Sequence, residues 1–131
     1  MFRLKVKTHF DAAHHIRDYE GKCSRVHGHR WELEVVFEGA SLDNKNMLVD
    51  FRRVKDFLAR RVECYLDHWD LNATLNEPNV TAEFIARWAY RELQNLGDLS
   101  SVVRLVCVTV WESPECCVSY YGEADERRLA G

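Results

Sequence analysis

From residue 27 onward the chain alternates between two kinds of side chain, and that alternation constrains the fold more than any other feature. Trp31, Leu33, Val35 and Phe37 are apolar, while Arg30, Glu32, Glu34 and Glu38 are charged. Successive side chains of a strand point to opposite faces, so a period of two marks a strand with one buried and one wet face. His27 and His29 share the odd parity of the apolar set. A strand beginning near His27 therefore aims both imidazoles from the rim of the buried face into one pocket.

The residues just before this strand concentrate chemistry. The run G-K-C-S-R-V-H-G-H at 21–29 sets Cys23 close to both histidines, shortly after F-D-A-A-H at 10–14. Neutral imidazole is the commonest metal ligand, and thiolate is both a ligand and a strong base or nucleophile. Three histidines on zinc would leave the fourth position open, the pattern of a catalytic site. With Cys23 as fourth ligand the site would instead be closed and structural. Local chemistry leaves both readings open.

A chain of 131 residues fits one domain spanning 1–131, with a core of useful size. No apolar run approaches a membrane span, and the charged N-terminus leads into an alternating segment, unlike a signal peptide. The net charge of -3 gives no basic footprint for nucleic acid. Five cysteines, two of them adjacent at Cys116-Cys117, read as reduced thiols of a cytoplasmic protein and not as a disulfide framework.

Phe2, Leu4, Val6, Thr8 and Phe10 alternate with Arg3, Lys5, Lys7 and His9, which predicts a first strand. Residues 11–26 lack periodicity and read as a loop. Gly39 and the polar run at 41–46 end the second strand. Asp50 is placed to cap a helix that carries Phe51, Val54, Phe57, Leu58, Val62 and Tyr65 on one face. The segment at 66–72 breaks that pattern. Thr81 is placed to cap a second helix, with Phe84, Ile85, Trp88 and Leu93 inward and Gly97 as its stop. Residues 102–111 are β-rich, and 116–121 read as their hairpin partner around Ser113-Pro114-Glu115. The charged tail at 122–131 reads as frayed. The order β-β-α-α-β-β is an α+β plan, an antiparallel sheet with two helices on one face.

Five motifs occur in this order: F-D-A-A-H at 10–14, C-S-R-V-H-G-H at 23–29, L-D-H-W-D-L-N at 66–72, T-A-E at 81–83 and W-E-S at 111–113. The set resembles the 6-pyruvoyltetrahydropterin synthase family, and within it the bacterial 6-carboxy-5,6,7,8-tetrahydropterin synthases of queuosine (7-deazaguanine) biosynthesis. The resemblance runs from about residue 2 to residue 121. It implies the tunnelling fold, a four-stranded antiparallel sheet backed by two helices, assembled as a homo-oligomer (trimer or hexamer) with sites at subunit interfaces.

The resemblance also implies roles. His14, His27 and His29 align as the zinc ligands, with His15 a rival for the first position where many relatives carry arginine. Cys23 aligns as the catalytic base, and Asp67 with His68 as a proton relay. Glu112 aligns as the carboxylate that anchors a pterin, offering two acceptors to adjacent ring and amine donors. Thr81 and Glu83 align with a substrate-binding helix start, although Val80 stands where proline is common.

The implied activity is zinc-dependent lyase chemistry on 7,8-dihydroneopterin triphosphate, giving 6-carboxy-5,6,7,8-tetrahydropterin, acetaldehyde and triphosphate. Three residues, Ser24-Arg25-Val26, separate Cys23 from the H-G-H pair. In the family this spacing accompanies the carboxy enzymes, and five accompanies the pyruvoyl enzymes. The alternatives are the pyruvoyl reaction, which stops after triphosphate elimination and internal redox transfer, and a non-catalytic zinc-stabilised pterin-binding module.

Overall fold

The structure is a computed structural model and describes residues 1–97 and 99–123. Strands β1 (Phe2–His14), β2 (His27–Gly39), β3 (Arg104–Ser113) and β4 (Cys116–Tyr120) form one antiparallel sheet in the order β1-β2-β3-β4. Between β2 and β3 lie α1 (Phe51–Leu58), a π-helical turn (Ala59–Glu63), α2 (Cys64–Leu66), α3 (Leu71–Thr74) and α4 (Ala82–Leu93). The α+β order read from the sequence is the order observed.

Strand β1 corrects the sequence reading. It continues through residues 11–14, which had read as loop, because β2 pairs with it from Phe2↔Gly39 to His14↔His27 without a break. Ala12 and His14 are buried while Asp11 and Ala13 are not, so the alternation persists. It was hidden because alanine gives little hydropathic contrast and the buried end position is a histidine.

The core lies between the sheet and the helices. Phe10, Trp31, Leu33, Val35, Phe37, Val108 and Val110 face Val54, Leu58, Val62, Leu66, Ile85, Ala86, Ala89 and Leu93. Asp50 and Thr81 cap α1 and α4 by accepting the backbone N–H of Arg52 and Phe84, as their residue types favour. Phe51 and Tyr65, expected inward, are exposed, and Leu66 is buried instead. The π turn, downstream of Phe51, explains the exchange of Tyr65 for Leu66. Its wider winding keeps Leu58, Val62 and Leu66, each four residues apart, on one face, where an α-helix would drift by about 40° per step.

On α4 the small residues Ala82, Ala86 and Ala89 pack closest, leaving Phe84 and Trp88 only half-buried. Gly97 does not stop this helix, since α4 ends at Leu93 and Gly97 lacks the positive φ of a glycine cap. Of the tail read as frayed, residues 124–131 lie outside the described residues.

Candidate active site

The register of β1 on β2 builds the site. His14 stands opposite His27, and Ala12 stands opposite His29, so three imidazoles share the core-facing side at one end of the sheet. Ring centroids of His14 lie 4.5 Å from His27 and 5.1 Å from His29, and His27 and His29 are 4.8 Å apart. One nitrogen from each lies within 4.8 Å of the others. Trp31 floors the cluster, 4.9 Å from the His14 ring and 5.4 Å from that of His29.

Each of two imidazoles is oriented through its far nitrogen. His14 Nδ1 donates to the Val80 carbonyl at 2.7 Å, and His27 Nδ1 donates to the Arg25 carbonyl at 2.7 Å. A proton held on Nδ1 leaves Nε2 with its lone pair, and this is how proteins orient metal-binding histidines. His14 Nε2 and His29 Nε2 are buried and have no hydrogen-bond partner within the chain. Orphaned buried groups of this kind cost roughly 1–3 kcal/mol each, and a bound cation removes the cost.

Burial pushes the pKa of His14 down, and His27 adds to that, against the opposing Val80 hydrogen bond. Burial also lowers His29, with Glu112 opposing and the other two histidines assisting. Both effects favour the neutral imidazole that a metal requires. The residues therefore fit a divalent metal. Nitrogen-only donors suit zinc but also other first-row ions.

Glu112 sits near the end of β3 with its Oε1 3.4 Å from His29 Nε2, close enough for an ion pair but without hydrogen-bond geometry. Cys23 is half-buried in a 3-10 turn (Lys22–Ser24), which the Ile16 N–H ties down by donating to the Cys23 carbonyl. Its thiol is not among the clustered ligand atoms, and neither is His15. The backbone N–H of His15 donates to Asn72, whose amide in turn bridges the carbonyls of His15 and Pro78.

Asp67 and His68 lie elsewhere, at the free edge of β1. His68 Nδ1 is 3.0 Å from Asp67 Oδ2, and His68 adopts a left-handed φ of 64°. That region is sparsely populated by non-glycine residues and is common at functional sites. The Asp11 N–H donates to Asp67, and this bond, followed by His68, holds the Asp67 carboxyl below its usual range. Among the described residues no hydrogen bond or ion pair joins this pair to the histidine triad.

Thr81 and Glu83 line a cleft with Glu77, Asn79, Phe84, Arg87 and Tyr120. The Thr81 hydroxyl is occupied by its cap bond to Phe84 N–H.

The sequence reading missed three contributors. Val80 acts through a backbone carbonyl, which no side-chain pattern can reveal. Asn72 lay inside a motif already singled out, and its amide now accounts for that motif's last position. Asp11, inside F-D-A-A-H, acts through its backbone.

The family model described as 6-pyruvoyl tetrahydropterin synthase matches residues 3–123. The chain belongs to the 6-pyruvoyl tetrahydropterin synthase family. Among curated relatives, the 6-carboxy-5,6,7,8-tetrahydropterin synthase of Synechocystis sp. is 36% identical over 74% of this chain and 78% of its own. The protein of the same name from Bacillus subtilis is 33% identical, covering 86% of this chain and 80% of its own. That of Haemophilus influenzae is 27% identical over 92% and 99%. The solved Caenorhabditis elegans 6-pyruvoyl tetrahydropterin synthase superposes with a TM-score of 0.79 over 93% of this chain and 96% of that one. At 24% identity this structural likeness establishes the shared fold of the 6-pyruvoyl tetrahydropterin synthase family.

Proposed function

We propose that this protein is a zinc-dependent carbon–carbon lyase, a 6-carboxy-5,6,7,8-tetrahydropterin synthase. It converts 7,8-dihydroneopterin triphosphate to 6-carboxy-5,6,7,8-tetrahydropterin, acetaldehyde and triphosphate in queuosine biosynthesis. The observation that carries the reading is the histidine triad, with its orphaned Nε2 atoms, in a chain whose relatives named above, at 27–36% identity, are synthases of this kind. No helix among the described residues is long and apolar enough to cross a membrane. The reading includes a cytoplasmic homohexamer acting on a diffusible pterin.

His14, His27 and His29 hold the zinc, whose chemistry is to make the hydroxyls of the substrate side chain more acidic. Cys23, outside the ligand set but in the adjoining turn, takes a proton from side-chain carbon. Asp67 fixes the tautomer of His68, which returns protons. Glu112 accepts from the pterin ring N–H and exocyclic amine. Thr81 and Glu83, in the cleft at the start of α4, contact the substrate. The separation of Asp67–His68 from the triad within one protomer supports a site completed across a subunit interface.

Incubation of the purified protein with dihydroneopterin triphosphate, followed by mass identification of products, tests the reading. Acetaldehyde together with the carboxypterin is the expected result. A pyruvoyl product without acetaldehyde transfers the assignment to the pyruvoyl reaction, and unchanged substrate, bound stoichiometrically, makes the protein a binding module.

A further inference from the structure

We propose that Arg30 is a positioning residue for the Asp67–His68 pair: by occupying the Asp11 carboxylate, it reserves His68 for Asp67. The inference rests on the reading of Asp67–His68 as a proton relay. Asp11 and Arg30 stand opposite each other in the β1–β2 register, on the sheet face turned away from the core. Arg30 grips both Asp11 oxygens, Nε to Oδ1 at 2.9 Å and a terminal nitrogen to Oδ2 at 3.0 Å. This is the two-pronged geometry that only arginine offers a carboxylate.

The backbone of the same Asp11 carries the relay. Its N–H donates to Asp67 Oδ1 at 2.9 Å, and its carbonyl accepts the His68 N–H at 2.6 Å. Three positions earlier on β1, the Thr8 hydroxyl donates to Glu63 of the π turn. Two positions later on β1, the Ala13 N–H donates to the Trp69 carbonyl at 3.0 Å, and Ala13 forms a bridge with Asp70. The turn that presents His68 is thus hung along β1 through the backbone of Asp11, the residue whose carboxylate interacts electrostatically with His68.

That carboxylate is a competitor. The His68 side chain is 79% exposed, and the Asp11 carboxyl, held below its usual range first by Arg30, also interacts with the nearby His68. The charged and titratable groups facing the pair are Asp11 and His9 from β1 and Arg30 from β2. Two carboxylates near one imidazole offer two hydrogen-bonded orientations. Arg30 fills both oxygens of Asp11 and cancels its charge, so one orientation remains. A relay group misdirected by an ångström loses much of its effect on rate.

The test is suppression. Arg30→Gln frees Asp11 and should lower kcat by about ten- to a hundredfold, part of the value of a general acid–base group, with KM and bound zinc unchanged. Removing the competitor as well, in Asp11→Ala/Arg30→Gln, keeps the backbone N–H and carbonyl and should restore most of the lost kcat. A purely structural role for the ion pair predicts the reverse, a double variant no better than the single one, and that result overturns the proposal, as does wild-type kcat in Arg30→Gln.

A second readout does not depend on turnover. In protein labelled with 15N-histidine, the His68 side-chain resonances should shift in Arg30→Gln and return in the double variant. Unshifted resonances in Arg30→Gln overturn the positioning. If Asp67→Asn retains wild-type turnover, the relay reading falls by itself and the resonances alone decide whether Arg30 positions His68.

Discussion

Replacing His14 and His27 by alanine separates the metal ligation proposed for the triad from its local packing. His14 is 1% exposed, packs against Trp31 and satisfies the Val80 carbonyl at 2.7 Å. His14→Ala leaves that carbonyl without its partner, costing about 1–3 kcal/mol, and opens a cavity that adds a similar amount, for a total of about 2–6 kcal/mol without metal. His27 is only half-buried, and its bond goes to a carbonyl two residues away in an exposed segment. His27→Ala should therefore cost no more than about 1 kcal/mol without metal.

Zinc at a hundredfold excess over its dissociation constant should add about 2.7 kcal/mol to the wild type and far less to either variant. Urea unfolding at fixed protein concentration, with chelator and then with zinc, gives all six values. A full zinc-dependent gain in His27→Ala would remove that residue from the ligand set. Equal losses for the two metal-free variants would refute the anchoring of His14 on Val80.

Other outcomes follow from the same geometry. Burial holds the folded pKa values of His14 and His29 below the unfolded value of about 6.5, so the unfolded chain binds the extra protons. Metal-free stability should thus fall as pH drops below about 6.5 and level off below the folded values, with a shallower slope in His14→Ala, as urea midpoints at several pH values will show. Cys23→Ala should keep stoichiometric zinc by metal analysis while turnover falls at least ~10²-fold; loss of zinc would make Cys23 a ligand. Glu112→Gln presents a donor to pterin donors and should weaken substrate binding about ten- to a hundredfold, measured by calorimetry with a non-reacting pterin. Unchanged affinity would remove Glu112 as the anchor.

The sequence by itself determined the strands with strong apolar alternation, the caps at Asp50 and Thr81, and the shared parity of His27 and His29. These are local properties: a period of two, or a side-chain oxygen two or three residues before an N–H, needs no distant partner to be legible. It also carries the five family motifs in order, which makes Cys23, Asp67, His68 and Glu112 legible as candidate site residues without any geometry. Only the tertiary structure decided what brings His14 into the cluster. Its strand segment, F-D-A-A-H, lacks hydropathic contrast and is extended because β2 pairs with it residue for residue. The π turn, the burial of Leu66 over Tyr65, the Val80 carbonyl behind His14 and the seat of Asp67–His68 on the Asp11 backbone were decided there as well. Each depends on backbone groups and packing surfaces far apart in the chain, and a side-chain pattern along one segment carries no record of which backbone group will meet it.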